Sequence, residues 1–214
     1  LSGKIKYNYV HTINYMGNPD TLILDPLASY DLVVHTIPAV KKEGIILAEG
    51  KHNMIGLHAP QGELEISCPG SNQYQDLKIV VRRDNKHETL NIQQNETSEK
   101  YLVGEYDLEI LTIPRIYLEN VKIEQSTTTQ VEIPRPGIAN FSIASSGFGS
   151  LYVETADTLE WIYNLDRKQT RQSIIMQPGN YRAVYRAKNT KQTIYTINKR
   201  FTIKSGSSQK IILY

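Results

Sequence analysis

The sequence predicts an all-β protein assembled from small β-sandwich modules in tandem. Three observations carry this. Tyrosine is abundant, at 14 of 214 residues, beside frequent Ile, Val and Thr, which is the composition of pleated, half-buried surfaces. No segment keeps apolar residues at helical spacing for long enough to make a long helix. A strand pattern led by tyrosine also recurs at regular spacing, the mark of a duplicated folding unit.

The first copy reads Tyr30-Asp31-Leu32-Val33-Val34-His35-Thr36-Ile37-Pro38. The second reads Tyr106-Asp107-Leu108-Glu109-Ile110-Leu111-Thr112-Ile113-Pro114, in one register 76 residues later. Fifteen residues after each tyrosine comes a second strand signal, Ile45-Ile46-Leu47 and Val121-Lys122-Ile123. Ten residues further comes a third, Ile55 and Leu57 in one copy, Val131 and Ile133 in the other. Pro/Gly boundaries follow, at Ala59-Pro60-Gln61-Gly62 and Pro134-Arg135-Pro136-Gly137. In the third copy Pro178-Gly179-Asn180-Tyr181 opens the strand, Phe201 and Ile203 give the second signal, and Ile211 and Leu213 close it. Its tyrosine precedes Phe201 by 20 residues, which places a five-residue insertion around Lys188 to Thr193.

Between boundary and tyrosine lie strands with period-two alternation, which predicts one buried and one wet face. These are Gly62 to Ile66 and Leu77 to Val81 in the second module, and Ile138 to Ile143 and Leu151 to Val153 in the third. The first module opens at the counterpart of the second of these strands, with Ile5, Tyr7 and Tyr9 alternating, and lacks the one that would match Leu64 and Ile66. Folded proteins avoid a bare sheet edge, so residues before Leu1, or some other cover, are expected to complete it. The predicted modules are 1–60, 61–136 and 137–214, joined by short Pro/Gly junctions that restrict hinge motion. The recurrent tyrosines are read as corner residues, ring in the core and hydroxyl on backbone.

Met176-Gln177-Pro178-Gly179-Asn180-Tyr181-Arg182-Ala183-Val184 resembles the Leu-x-Pro-Gly-x-Tyr-x-Val signature of prealbumin-like and carboxypeptidase-regulatory-like sandwich repeats. The paired Tyr-Asp-Leu-x-x-x-Thr-Ile-Pro phrases resemble tandem repeats found C-terminal to a von Willebrand factor type A domain in bacterial, notably Bacteroidetes, surface or periplasmic proteins. The resemblance implies Ig-like or prealbumin-like sandwiches, an extracytoplasmic location and an upstream adhesion domain. The Asp-x-Ser-x-Ser metal motif of that domain is absent here, so none of its ligands carries over.

No phrase announces catalysis: there is no Gly-x-Ser-x-Gly, His-Glu-x-x-His, phosphate-cradling loop or EF-hand. No enzyme activity, metal or cofactor is therefore expected. Cys68, the single cysteine, excludes an internal disulfide and a cysteine-built zinc site, and reads as an apolar filler. His11, His35, His52, His58 and His87 are scattered, and His52 and His58, taken to flank a strand, would stand about 20 Å apart. Asn95-Glu96-Thr97 and Asn140-Phe141-Ser142 match a glycosylation pattern that arises often by chance. No run of about 18 apolar residues exists, so no membrane insertion is expected.

Net charge hides an asymmetry. Residues 1–163 carry 13 basic against 21 acidic side chains, and residues 164–214 carry 11 against one. Alternation from Tyr181 to Lys188 places Arg182, Arg186 and Lys188 outward. With Lys199 and Arg200 they form a candidate anion-binding face for a protein or an anionic surface polymer. Tyr152, Trp161 and Tyr163 are the densest aromatic patch and candidate sugar-stacking residues. Nucleic acid is not expected as a partner. The leading function is a non-enzymatic extracytoplasmic spacer or adhesion segment that presents a neighbouring domain, ahead of a carbohydrate-binding module and of an accessory domain of a secreted enzyme.

Overall fold

The computed structural model describes residues 16–18, 21–70, 73–83, 87–188 and 196–214. Among them lie sixteen strands in five sheets and no helix, so the fold is all-β, as the composition predicts. The chain divides into two compact units, and residues His35–Ala39 belong to the second although their flanks belong to the first.

The described part of the first unit is an antiparallel pair, β1 (Ser29–Val34) and β2 (Val40–Ile46). Tyr30 is half-buried and donates its hydroxyl to the Asp25 carbonyl at 2.9 Å. Register shifts at Asp31, whose carboxylate accepts the Gly44 N–H at 3.0 Å, and Gly44 takes the left-handed φ of +67° that a bulge requires. Ile55 and Leu57, expected as a strand, lie instead in irregular backbone. Their counterparts in the second module pair with that module's first strand, and no such partner stands among the described residues of this unit. The predicted strand at Ile5, Tyr7 and Tyr9 lies outside the described residues.

The second unit contains two sandwiches of one topology. The first comprises β3 (Gln61–Ser67), β4 (Lys78–Arg83), β5 (Asn91–Gln94), β6 (Thr97–Leu102), β7 (Gly104–Ile110), β8 (Ile116–Ile123) and β9 (Thr128–Glu132). The second comprises β10 (Gly137–Ile143), β11 (Gly147–Glu154), β12 (Leu159–Asn164), β13 (Arg171–Met176), β14 (Gly179–Ala187), β15 (Ile197–Ile203) and β16 (Ser208–Leu213). Sheet β6-β3-β9 stands with β5-β4-β7-β8, and β13-β10-β16 with β12-β11-β14-β15. In each, the last strand returns to lie parallel beside the first, Ile66 opposite Val131 and Phe141 opposite Ile211.

Each sandwich has its own core, drawn from the alternate positions that the period-two pattern marks. Leu64, Ile66, Ile79, Val81, Leu108 and Ile123 fill one, and Ala139, Phe141, Leu151, Ala183, Phe201 and Ile211 the other. Each larger aliphatic or aromatic member contributes about 1.5–3 kcal/mol relative to exposure. The glycines of the repeated Pro/Gly boundaries have a steric reason. A Cβ on Gly62 would run into the Glu124 carbonyl, and one on Gly137 would stand 2.6 Å from the Lys204 carbonyl, so each sandwich's first strand crosses its last turn at backbone distance.

Tyr106 and Tyr181 are fully buried and donate to carbonyls four residues back, Leu102 and Gln177, both at 2.7 Å. Asp107 repeats the bulge of the first unit, accepting the N–H of Asn120, whose φ is +58°. The third copy has Arg182 in place of the aspartate, and its pairing with Arg200 runs without a shift. Substituting Tyr181→Phe leaves the Gln177 carbonyl without this donor and should cost about 1 kcal/mol. The single tryptophan, Trp161, lies in this sandwich, so a lowered urea midpoint of its fluorescence would register the loss.

Candidate functional site

Two places gather polar chemistry: the joint between the two sandwiches and the outer face of the sheet β12-β11-β14-β15.

The joint is built from the repeated Thr-Ile-Pro phrase. Thr112 donates its hydroxyl to the Pro114 carbonyl at 2.6 Å, folding the chain back across a cis Ile113–Pro114 bond. The Ile113 side chain packs on the core of the following sandwich, and its carbonyl accepts the Gln177 N–H at 2.7 Å. The same construction stands at the earlier phrase: Thr36 donates to Pro38 at 2.7 Å, Ile37 packs on the core built around β3 and β7, and its carbonyl accepts the Leu102 N–H at 2.8 Å. Leu102 and Gln177 are also the residues whose carbonyls receive the corner tyrosines. Each corner therefore joins an Ile C=O and a tyrosine hydroxyl through the N–H and the C=O of one residue.

The joint between the two sandwiches has an added polar bond. Gln177 is buried and donates its side-chain amide to the Tyr74 hydroxyl at 2.7 Å. Ile175 reciprocates Ile113 by packing on the preceding core. A groove of about 410 Å³ runs beside it, lined by Tyr74, Leu77, Leu111, Tyr163 and Ile174 among others. Burial pushes the Tyr74 phenol up to about 12, against the opposing pull of the Gln177 hydrogen bond.

On the outer face, strand register sets one row of side chains across four strands: Trp161 opposite Tyr152, Tyr152 opposite Arg182, and Arg182 opposite Arg200. Two rows along, Phe148 stands opposite Arg186 and carries the Arg167 guanidinium 4.6 Å from its ring centroid. The Trp161 indole N–H donates to Asn164 Oδ1 at 3.0 Å, and the Ser150 hydroxyl donates to the same oxygen at 2.8 Å.

Of the predicted anion-binding residues, Arg182, Arg186 and Arg200 share this face. Lys199 does not, because it stands opposite Ala183 on the other side of β15. Lys188 lies just past the end of β14, its amide on the Ser146 carbonyl. Arg182 and Arg200 are not bare cations, since both bind the Glu154 carboxylate, Arg200 through Nε and Nη2 at 2.9 Å each to Oε1. The Arg182 hydrogen bond is the main influence holding the Glu154 carboxyl below the usual carboxylate range; burial opposes it and Arg200 reinforces it. Of the three candidate sugar-stacking residues, Tyr152 and Trp161 pair directly on the face. A bulge at Ile162 then sets Tyr163 opposite Leu151, where it lines the joint groove instead.

Glu154, Phe148 and Arg167 escaped the sequence reading. A counter-ion defined by cross-strand register has no local signature, and Phe148 between two glycines carries no periodic pattern. A second clamped carboxylate lies on the preceding sandwich, where burial would raise Glu109 but hydrogen bonds from Arg82 and Arg115 overcome it and hold the group low.

His35, His52, His58 and His87 are exposed, His11 lies outside the described residues, and no group of three metal-ligand side chains occurs among the described residues. Cys68 is buried, and burial pushes its thiol up, away from nucleophilic character.

Two titrations test these assignments. Tyr74 is held neutral in the fold, so its contribution to stability is complete below about pH 10, the unfolded phenol value, and is lost as pH rises through about 12. The Tyr74→Phe variant should show a shallower alkaline loss of stability by circular dichroism. Glu154 has its pKa lowered, so its contribution is present above about pH 4.3 and disappears as pH falls through the folded value. Carboxyl NMR should place the Glu154 midpoint below 4.3 (~), and Arg200→Ala should raise it.

No family model matches the chain, and no curated protein matches it. A solved structure described as the Bacillus anthracis TIE protein is similar over 94% of this chain and 44% of its own length, at 13% identity and a TM-score of 0.31. The chain thus spans less than half of that protein, and a likeness at that TM-score carries no argument about function.

Proposed function

We propose that this chain is a non-enzymatic extracytoplasmic spacer and adhesion segment, which presents a neighbouring domain and makes contacts with a protein or an anionic surface polymer. The observation that carries the reading is the joint. A spacer must transmit position from one module to the next, and a short flexible linker fails at this because its ends sample many separations. Here Ile113 packs on the following core and Ile175 on the preceding one, and Gln177 is bonded across the seam twice, through its amide N–H to Ile113 and through its side chain to Tyr74. The threonine bond and the isoleucine packing recur at Thr36–Pro38 on the first sandwich.

The finer family reading fits the same role. The Pro178-Gly179-Asn180-Tyr181 and Tyr-Asp-Leu phrases resemble prealbumin-like repeats that follow a von Willebrand factor type A domain, where a passive stalk would hold an adhesive domain away from its anchor. A carbohydrate-binding module is the second reading, favoured by the pairing of Tyr152 with Trp161 on an open sheet face. An accessory domain of a secreted enzyme is third.

Spin labels at Glu119→Cys and Lys210→Cys, both exposed, in a Cys68→Ala background test the leading reading. The parent should give one narrow distance distribution, and Ile113→Ala with Gln177→Ala should broaden it. A broad distribution in the parent removes the basis for a spacer.

A further inference from the structure

We propose that the outer face of sheet β12-β11-β14-β15 is a binding platform for a carboxylated polysaccharide, with Trp161 and Tyr152 stacking on sugar rings and Arg200 and Arg182 taking a sugar carboxylate. This deepens the adhesive half of the function proposed above by naming a site and a ligand class.

The first argument is geometric. Adjacent strands lie about 4.8 Å apart, so the row Trp161, Tyr152, Arg182, Arg200 spans about 14 Å, the reach of a short oligosaccharide laid across the strands. Trp161 is 56% exposed although it belongs to a strand whose neighbour Ile162 packs into the core. With Tyr152 directly opposite it, Trp161 makes a contiguous aromatic surface on the sheet, and such surfaces rimmed by polar residues mark interaction sites. The indole N–H is already bonded to Asn164, so the ring is fixed, and a fixed aromatic loses little conformational freedom on binding. Beside it, Ser150 and the Asn164 side-chain amide supply polar groups for hydroxyls.

Electrostatics then selects the ligand. The outward positions of β11, β12, β14 and β15 carry Arg182, Arg186 and Arg200 against one carboxylate, Glu154. Glu154 neutralises one arginine of the pair it binds, and in doing so it orders both guanidiniums. Arg182 is 17% exposed in its side chain and works as the anchor, whereas Arg200 is 73% exposed and presents the surplus charge to solvent. Residues Glu154, Asn180, Arg200 and Thr202 also line a shallow depression of about 520 Å³ at the end of the row, where a carboxylate would meet the guanidinium edge. Two rows along the strands, Phe148, 50% exposed and flanked by Arg167 and Arg186, repeats the alternation of aromatic and cation. A carboxylated glycan meets both halves of the pattern, its carboxylate at the exposed edge of Arg200 and its rings on the aromatics.

Isothermal titration of the full chain with hexagalacturonate and hexaguluronate tests this, with maltohexaose as the neutral comparison and an oligothymidylate of similar length as the alternative polyanion. The expected result is binding of a uronate that weakens about tenfold in Trp161→Ala and by a similar factor in Arg200→Ala, both exposed positions whose loss leaves the core intact. Lys210→Ala, on the other sheet, should bind as the parent does. Raising salt from about 0.1 M to about 0.5 M should weaken binding without abolishing it, because stacking is insensitive to screening. No uronate binding, binding unaffected by both substitutions, or tighter capture of the oligothymidylate through the same residues would each overturn the assignment. The spin-label distances across the joint do not depend on Trp161, so failure here and failure of the spacer reading are separately visible.

Discussion

The residue four positions before each core tyrosine is used from both sides. Its carbonyl receives the hydroxyl of Tyr106 or Tyr181, and its N–H donates to an isoleucine carbonyl of the preceding Thr-Ile-Pro phrase. Most of the two sandwiches' organisation depends on that arrangement. A buried phenol must find an acceptor, and an isoleucine carbonyl brought against a core must find a donor. One residue satisfies both, through its N–H and its C=O, so closing a sandwich corner and docking the phrase that precedes it are coupled. The isoleucine side chain adds apolar contact where these hydrogen bonds fix direction.

Polar side chains elsewhere serve the sheets in the same economical manner. Asp31 and Asp107 each hold the amide of a left-handed residue at a bulge, and where Arg182 replaces the aspartate the bulge disappears and the strand pairs without interruption. The substitution changes more than charge. Regular pairing brings Arg182 beside Arg200 and Tyr152, and Glu154 then stands between the two guanidiniums. The third copy thereby acquires an ordered aromatic and cationic row, whereas the first sandwich turns a carboxylate, Glu109, to the same side and encloses it between Arg82 and Arg115.

Much of this was legible in residue order. Spacing located β7, β8 and β9 and their counterparts β14, β15 and β16, because alternation and turn residues are local properties of the chain. It failed at β5, β6, β12 and β13. Asn-Ile-Gln-Gln and Thr-Ser-Glu-Lys-Tyr-Leu are too polar to announce a strand, and they become strands by pairing with β4 and β3. It failed in the opposite sense at Ile55 and Leu57, which have the pattern of a strand but no partner among the described residues.

What the sequence determined by itself is the all-β class, the repeated tyrosine-led unit and the concentration of basic residues after position 163, since composition, period and charge are carried by each residue independently of its neighbours in space. Tertiary structure alone decided which residues meet. Lys199 and Arg200 are adjacent in the chain yet face opposite ways, Trp161 and Tyr163 are separated by one bulge, and Glu154 finds its arginines 28 and 46 residues away. Side chains in a sheet become neighbours through register, and register is set by the packing of both cores at once rather than by any one strand.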